Sequence, residues 1–474
     1  GILLMENAGI RAFEAFQVEA IPGKRLVFVA GGGNNGGDAL VMARQAFFTN
    51  RYDVKVVLVK DECGEAVTLQ RRIVSGLGIP VFSWPSDTLH CEAVLREADV
   101  VFDGMFGTGL GGPVRIPQYI DFLNALSCRR VAIDLPSGLR DGYKVGEPCV
   151  KADITLTIEL PKLCLYHPAG RLCCGDIRVV PIGFPGALTS DPSIPGELLT
   201  TADIGGLLPV FPKDAYKNLR GHVAVFAGAS GTTGAAILSS EAAARSMAGL
   251  VSLFIDRDAY LPVASQLSSV MVKPWDSQGP VCFDPSHFQA VLVGPGWGRK
   301  DREPWLSTLI TSPLPGVIDA DGVSILKGML PVQLGSRWIL TPHVGEFARF
   351  LDIPKDQLLA DPLTYALRSA RETGAFIVLK SHVTYIASPD GRFAVYDGMN
   401  PAAGTGGSGD VLSGVIAGFL ACGLSPWNAA RLGVLVHGTA CAQCFAEKGW
   451  FLAQDILPYL SRIGMYTSVG ENDA

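Results

Sequence analysis

Charge is scarce: Asp, Glu, Lys and Arg fill 18% of the 474 positions and leave a formal net charge of −6. No dense basic run occurs, and Lys24-Arg25 and Arg129-Arg130 are isolated pairs. A phosphate-backbone footprint needs clustered cations, so nucleic acid is not an expected partner. Apolar runs are short as well. The longest, residues 414–424, is about half of the roughly 18–20 residues a bilayer requires; it carries glycines and reads as a buried helix, so no membrane partner is expected. Ile2-Leu3-Leu4-Met5 is too short for a signal peptide. The eleven cysteines are odd in number and lack a disulfide rhythm, which fits reduced thiols and a cytoplasmic location. Cys441-Ala442-Gln443-Cys444 is a lone CxxC without a second pair at zinc spacing, expected in a core rather than on a metal. A hydrophobic fraction of 48% excludes a disordered chain.

What is present points to an α/β protein. The length exceeds what one core usually organises, so two domains are expected, over 1–190 and 200–474. Short β-branched runs at 26–30, 54–59, 100–103, 131–134 and 154–158 alternate with helix-length segments. Such alternation predicts a mostly parallel sheet with helices on both faces. Residues 185–200, rich in Pro, Gly and Ser, form the best linker candidate. A second series follows at 222–227, 291–293, 317–319, 338–340 and 376–379, with a long helical tail from Asp410.

The first strand runs into Gly31-Gly32-Gly33-Asn34-Asn35-Gly36-Gly37-Asp38, after which 39–48 looks helical. A glycine-rich turn at a helix start exposes backbone N–H groups to an anion. This is not the GxGxxG pattern, and two adjacent amides exceed what a tight turn needs. Asp103 closes the strand before Gly104-Met105-Phe106-Gly107-Thr108-Gly109-Leu110-Gly111-Gly112-Pro113; Asp134 closes the one before Leu135-Pro136-Ser137-Gly138. Ligand crevices of open parallel sheets lie beyond the strands' carboxyl ends, so the three clusters should converge. A carboxylate there can exchange protons, join oxygens around a hard cation, or simply cap a helix.

Together with Leu4-Met5-Glu6-Asn7-Ala8-Gly9 and Ile133-Asp134-Leu135-Pro136-Ser137-Gly138-Leu139, these stretches resemble the NAD(P)H-hydrate epimerase family over most of 1–185. The resemblance implies a Rossmann-like three-layer domain that interconverts the R and S forms of hydrated NAD(P)H. It further implies that Asn34, Asn35, Gly36, Gly37, Asp38, Gly107, Thr108, Gly109, Leu110, Gly111, Gly112 and Pro113 line the substrate. Asp134 would be the acid/base, and Asn35, Asp103 and Ser137 would give oxygens to K+. Lys162 matches a lysine often near that site. Ala39 stands where the family usually has Gly, and the short lead before Leu4 leaves a first helix, and with it dimer contacts, open.

In the C-terminal half, Asn400-Pro401-Ala402-Ala403-Gly404-Thr405-Gly406-Gly407-Ser408-Gly409-Asp410 precedes a helical segment. Four glycines within six positions free the backbone to wrap an anion, and the helix adds its dipole. An acid at the tip of an anion hole repels phosphate; it makes sense as a base that takes a hydroxyl proton while phosphoryl arrives. Gly294-Pro295-Gly296-Trp297-Gly298, Asp319-Ala320-Asp321, Thr341-Pro342-His343-Val344-Gly345-Glu346 and Lys380 also sit at strand ends. His437 is expected to be a buried packing residue. These stretches, with Tyr216-Lys217-Asn218-Leu219-Arg220-Gly221-His222, resemble the NAD(P)H-hydrate dehydratase family, whose fold is a ribokinase-like three-layer one. The resemblance implies that ADP, or ATP in some relatives, with Mg2+ phosphorylates the C6 hydroxyl of the S-hydrate, after which phosphate leaves. Asp410 would be the base. Ala235, Gly296, His343, Val344, Gly345, Glu346, Phe347, Ala348 and Arg349 would contact the hydrate. Lys380, Ser381, His382, Val383 and Thr384, with residues 400–409 named above, would hold the nucleotide. Ser381-His382 replaces a usual Gly-containing turn, and Trp297 a usual leucine.

The joint reading is a fused, homo-oligomeric repair enzyme acting on both epimers of hydrated NAD(P)H. Its rivals are a ribokinase-like kinase of a vitamin alcohol fused to a ligand-binding domain, and a non-enzymatic nucleotide sensor; the intact Asp134 and Asp410 argue against the last.

Overall fold

The computed structural model describes residues 1–17, 23–189, 191, 193–275 and 281–462. These divide into two compact units, Gly1–Ser193 and Ile194–Ala474. Ser190 and Pro192 of the expected linker lie outside the described residues.

In the first unit seven strands form one parallel sheet: β1 (Arg25–Ala30), β2 (Asp53–Leu58), β3 (Val81–Ser83), β4 (Val100–Gly104), β5 (Arg129–Ile133), β6 (Ile154–Ile158) and β7 (Asp176–Val180). Their order is β3-β2-β1-β4-β5-β6-β7. Both faces are covered, so strand residues are apolar in either direction. Leu26 and Phe28 pack on one side, Val27 and Val29 on the other, all buried. The order reverses between β1 and β4, which opens a crevice beyond their carboxyl ends. A first helix is present, Ile2–Gln17. Met5, Ala8, Ala12, Phe13 and Phe16 recur at helical spacing and bury one face. Gly9 lets that helix approach the helix Asn34–Phe48, because a Cβ there would fall 2.4 Å from Val41 Cβ.

The second unit holds β8 (Gly196–Leu198), β9 (His222–Phe226), β10 (Leu250–Asp256), β11 (Met271–Trp275), β12 (Ala290–Val293), β13 (Gly316–Ile318), β14 (Trp338–Leu340), β15 (Phe376–Leu379), β16 (Val383–Ala387) and β17 (Phe393–Asp397). The order is β11-β10-β9-β12-β13-β14-β15-β16-β17-β8, with antiparallel pairing only of β16 with its two neighbours. β8 corrects the reading of 185–200 as linker throughout: Pro and Gly mark its start, but its backbone completes the open edge of β17. The helix Ser408–Ala421 is buried nearly all round, as its apolar residues and glycines imply. It lies against the helix Thr233–Arg245. Cys441 and Cys444 are buried and unbridged. No helix among the described residues is long and apolar enough to cross a membrane.

Candidate active sites

In the first unit a cleft of about 1330 Å³ lies beyond β1, β4 and β5. Asn34, Asn35, Asp38, Gly107, Thr108, Gly109, Leu110, Gly111, Gly112, Pro113 and Asp134 line it. The helix starts at Asn34, earlier than its sequence suggests, because the three-glycine turn before it already reverses the chain. That puts Asn35 and Asp38 on one helix face, three residues apart. Gly36 and Gly37 turn away from the cleft. A Cβ on Gly36 would meet the Gly31 carbonyl at 1.9 Å, and one on Gly37 would meet Met5. Their role is close packing behind the site.

Asp103 also lies behind the cleft wall, 1% exposed. Its carboxylate accepts the Ser137 hydroxyl at 2.6 Å, the Ser137 N–H at 2.7 Å and the Met105 N–H at 3.2 Å. Burial pushes its pKa up to about 6 against these donors, which pull it down. Asn35 donates from Nδ2 to the Phe106 carbonyl at 2.9 Å. Its Oδ1 is buried with no hydrogen-bond partner among the described residues. Asp134 sits at the end of β5 in the left-handed region, φ 63°. Its Oδ1 accepts Lys162 Nζ at 2.5 Å and the Ile158 N–H at 3.3 Å. Lys162 donates further to the Ile158 carbonyl and Thr157, so it is a site residue rather than a solvated lysine. Asp134 Oδ2 faces Gly107, where a Cβ would stand 3.3 Å from it. Lys60, Glu62 and Arg115 add charge to the cleft lining and went unremarked in the sequence. Lys60 follows the end of β2, the same strand-end position that exposed Asp103 and Asp134.

In the second unit the strand ends again gather the charged side chains. Lys380 Nζ meets Asp319 Oδ1 at 2.9 Å, and both are largely buried. Burial works against the Lys380 charge, but Asp319, Glu346 and Asp410 outweigh it and raise its pKa. Asp410, in the first turn of its helix, is pushed up to about 7, by burial first and then by Asp319 and Glu346, while Lys380 pulls it down. Gly407 takes φ 91° as the helix N-cap, and a Cβ on Gly409 would sit 3.1 Å from Lys380 Nζ. Cβ atoms on Gly404 or Gly406 would meet nothing within 4 Å, so that turn opens outward. The arrangement sets an ammonium, a carboxylate and a glycine-rich turn side by side.

His343 caps its helix: Nδ1 accepts the Gly345 N–H at 2.9 Å, and Glu346 accepts the His343 N–H at 2.9 Å. Val344 and Arg349 share that helix, but Phe347 and Ala348 turn into the core. Ala235 abuts Gly296, whose carbonyl accepts the Thr232 hydroxyl at 2.6 Å. Ser381 and His382 meet each other at 3.2 Å. Val383 and Thr384 are buried in β16. Asn400 accepts the Ala402 N–H, and Ala402 is buried between the more open Pro401 and Ala403. His437 does more than pack: Nε2 meets Ser408 Oγ at 3.1 Å, and burial lowers its pKa to about 4, keeping it neutral. Trp297 is fully buried, stacked on Trp275, with the Arg302 guanidinium 5.3 Å from its ring centre.

Both units resemble known proteins. A family model described as "NAD(P)H-hydrate dehydratase" matches residues 223–462, and one described as "YjeF-related protein N-terminus" matches residues 2–164. The bifunctional NAD(P)H-hydrate repair enzyme of Moorella thermoacetica is 34% identical, over 97% of this chain and 91% of its own length. That of Coxiella burnetii is 32% identical, over 96% and 93%. Among solved structures, the ADP/ATP-dependent NAD(P)H-hydrate dehydratase of Bacillus subtilis, co-crystallised with ATP and Mg2+, matches with TM-score 0.50 and 25% identity, over 57% of this chain and 98% of that one. A ribokinase-like superfamily protein of Enterococcus faecalis matches with TM-score 0.51 and 26% identity, over 58% and 97%.

Proposed function

The chain belongs to the family of bifunctional NAD(P)H-hydrate repair enzymes, and from that premise we propose that it restores hydrated NAD(P)H in two steps. The first unit interconverts the R and S hydrates, and the second dehydrates the S form at the expense of ADP or ATP. The observation that carries the second step is Asp410, a half-buried carboxylate with a pKa near 7 beside Lys380 and the open glycine turn.

In this reading the turn 404–409 and Lys380 grip the nucleotide phosphates, the Lys380 charge being held in place by Asp319. Asp410 takes the proton of the C6 hydroxyl as that oxygen attacks the terminal phosphorus, giving a C6 phosphate ester and a shortened nucleotide. The ring nitrogen then expels phosphate and a C5 proton leaves, which regenerates the dihydronicotinamide. Mg2+, when bound with the nucleotide, offsets charge on its phosphates. Gly296, Ala235 and the exposed edge of the helix Val344–Leu351 border the hydrate.

In the first unit the cleft residues Asn34, Asn35 and Asp38 and the loop 107–113 hold the hydrate against Asp134, which handles the proton. Asn35 Oδ1, an unpartnered buried oxygen, together with Asp103 and Ser137, makes an all-oxygen donor set suited to K+. K+ there would balance the buried Asp103 charge and stiffen the wall behind the substrate. Eleven unbridged cysteines favour the cytoplasm as the compartment; self-association into a homo-oligomer completes the reading and is checked by sedimentation.

The deciding assay supplies mixed hydrate epimers with ADP or ATP and follows reduced-nicotinamide absorbance and free phosphate. Complete conversion with stoichiometric phosphate is expected. A phosphorylated product that persists would instead mark a small-molecule kinase.

A further inference from the structure

Interconverting two epimers at one carbon imposes its own symmetry. On the epimerisation proposed above, C6 bears both a hydroxyl and the ring nitrogen. Its configuration is erased if the hydroxyl leaves as water while the nitrogen lone pair fills in, giving a planar iminium carbon, and water then returns to the opposite face. Departure needs a proton donor and return needs a proton acceptor, with the roles exchanged in the reverse direction. Such a site requires two proton-handling groups, one protonated and one ionised.

We propose that Asp38 is the second of these groups: it protonates the departing C6 hydroxyl while Asp134 receives a proton from the incoming water.

Both carboxyl groups line the same cleft, Asp38 from the start of the helix Asn34–Phe48 and Asp134 from the end of β5. Their surroundings differ in kind. Asp134 is ion-paired to Lys162 through Oδ1, which leaves Oδ2 directed at Gly107. Asp38 has no hydrogen-bond or ion-pair partner among the described residues. It caps no helix and anchors no loop, and as the fifth residue of its helix it lies beyond the first turn, where acids serve as caps. Burial first, then the neighbouring Asp134, push its pKa up to about 8 against the pull of Lys162, so it carries its proton at neutral pH. The other charged groups of the cleft do not reverse this. Glu159 is engaged by the Ile182 and Phe184 N–H groups, Lys60 and Glu62 pair with each other, and Arg115 is exposed.

The protons balance. In the R-to-S direction the Asp38 proton passes to the hydroxyl, the C6–O bond breaks and water leaves; a water adds to the other face and gives a proton to Asp134. The cycle ends with Asp38 ionised and Asp134 protonated, primed for the reverse direction, and exchange with solvent restores the first state.

The test uses the full chain, the R-hydrate of NADPH without nucleotide, and chromatography of the two epimers after subtraction of the spontaneous rate. If the wild type does not epimerise, the functional reading fails first and separately. If it does, Asp38→Asn should lower kcat roughly 100-fold or more, the scale of acid–base catalysis. KM should stay within about threefold, and ADP-dependent dehydration of the S-hydrate should be unchanged. The wild-type rate should fall as pH rises through about 8, where Asp38 loses its proton, and the residual rate of the variant should lack that limb. Asp38→Glu, which keeps a proton carrier, should recover part of the rate. An intact kcat with a raised KM would reduce Asp38 to a binding group and overturn the proposal. So would a basic limb that persists in Asp38→Asn, or an Asp38→Glu variant no faster than Asp38→Asn.

Discussion

Asp410 meets two opposed demands. In the proposed role it must be ionised to accept a proton, yet burial, and then the nearby Asp319 and Glu346, disfavour its charge. Dehydration should therefore rise from acid to neutral pH with an apparent pKa near 7, and Asp410→Asn should lower kcat by about 1,000-fold above that pH, by less towards acid pH, and remove the rise. The same carboxylate costs stability. Its folded pKa lies above the ordinary carboxylate value of 3.8, so its contribution to stability is greatest below about pH 4 and is lost as pH rises through about 7. Asp410→Asn should thus match the wild-type Tm near pH 4 and exceed it near pH 8. The gain should be about 2–4 °C, allowing for partial exposure. A Tm difference independent of pH would contradict the electrostatic account. In the other unit, Lys162→Met should leave folding intact and lower the epimerisation kcat about 100-fold, because Asp134 loses the ammonium that orients it; steady-state kinetics on the R-hydrate checks this. Lys162 was hard to read in the sequence, since Pro161-Lys162 looks like any surface turn; only the fold brings it to Asp134, 28 residues away.

At the scale of elements, strand ends were the legible feature. A parallel sheet with helices on both faces sends each strand's carboxyl end to one rim, so Asp103, Asp134, Asp319 and Lys380 declared themselves by following apolar runs. Other elements were masked by local chemistry. Pro274 disguises β11, which tolerates it as an edge strand. β8 hides in a Pro- and Gly-rich stretch because its partner is a hairpin nearly 200 residues downstream. Phe347 and Ala348 sit in a motif that looks wholly functional, yet one face of any surface helix must be buried. The pairing of the helices Thr233–Arg245 and Ser408–Ala421 depends on Gly414, where a Cβ would fall 2.2 Å from the Ser239 carbonyl. Gly414→Ala gains about 1 kcal/mol of helix propensity. Overpacking against backbone costs about 1–3 kcal/mol. The clash should prevail, and thermal unfolding should show a lower Tm for this variant.

For the whole molecule, each unit owns a sheet, a point where strand order reverses, and a set of acids. The two chemistries should then be separable by single substitutions. With an equilibrated hydrate mixture and ADP, Asp410→Asn should regenerate no NADPH. Asp134→Asn should stop once the S form is consumed, apart from slow spontaneous epimerisation. Mixing the two variant proteins should restore complete conversion; failure to do so would mean that the sites must share a chain.

The helix Ser408–Ala421 is sealed within its unit along nearly its whole length, with Asp410 in its first turn. Its amide hydrogens should resist deuterium longer than almost any others in the chain, exchanging only when the whole unit opens. Thermal inactivation of dehydration should accordingly track global melting in one step, because the proposed base and the core share a single rod.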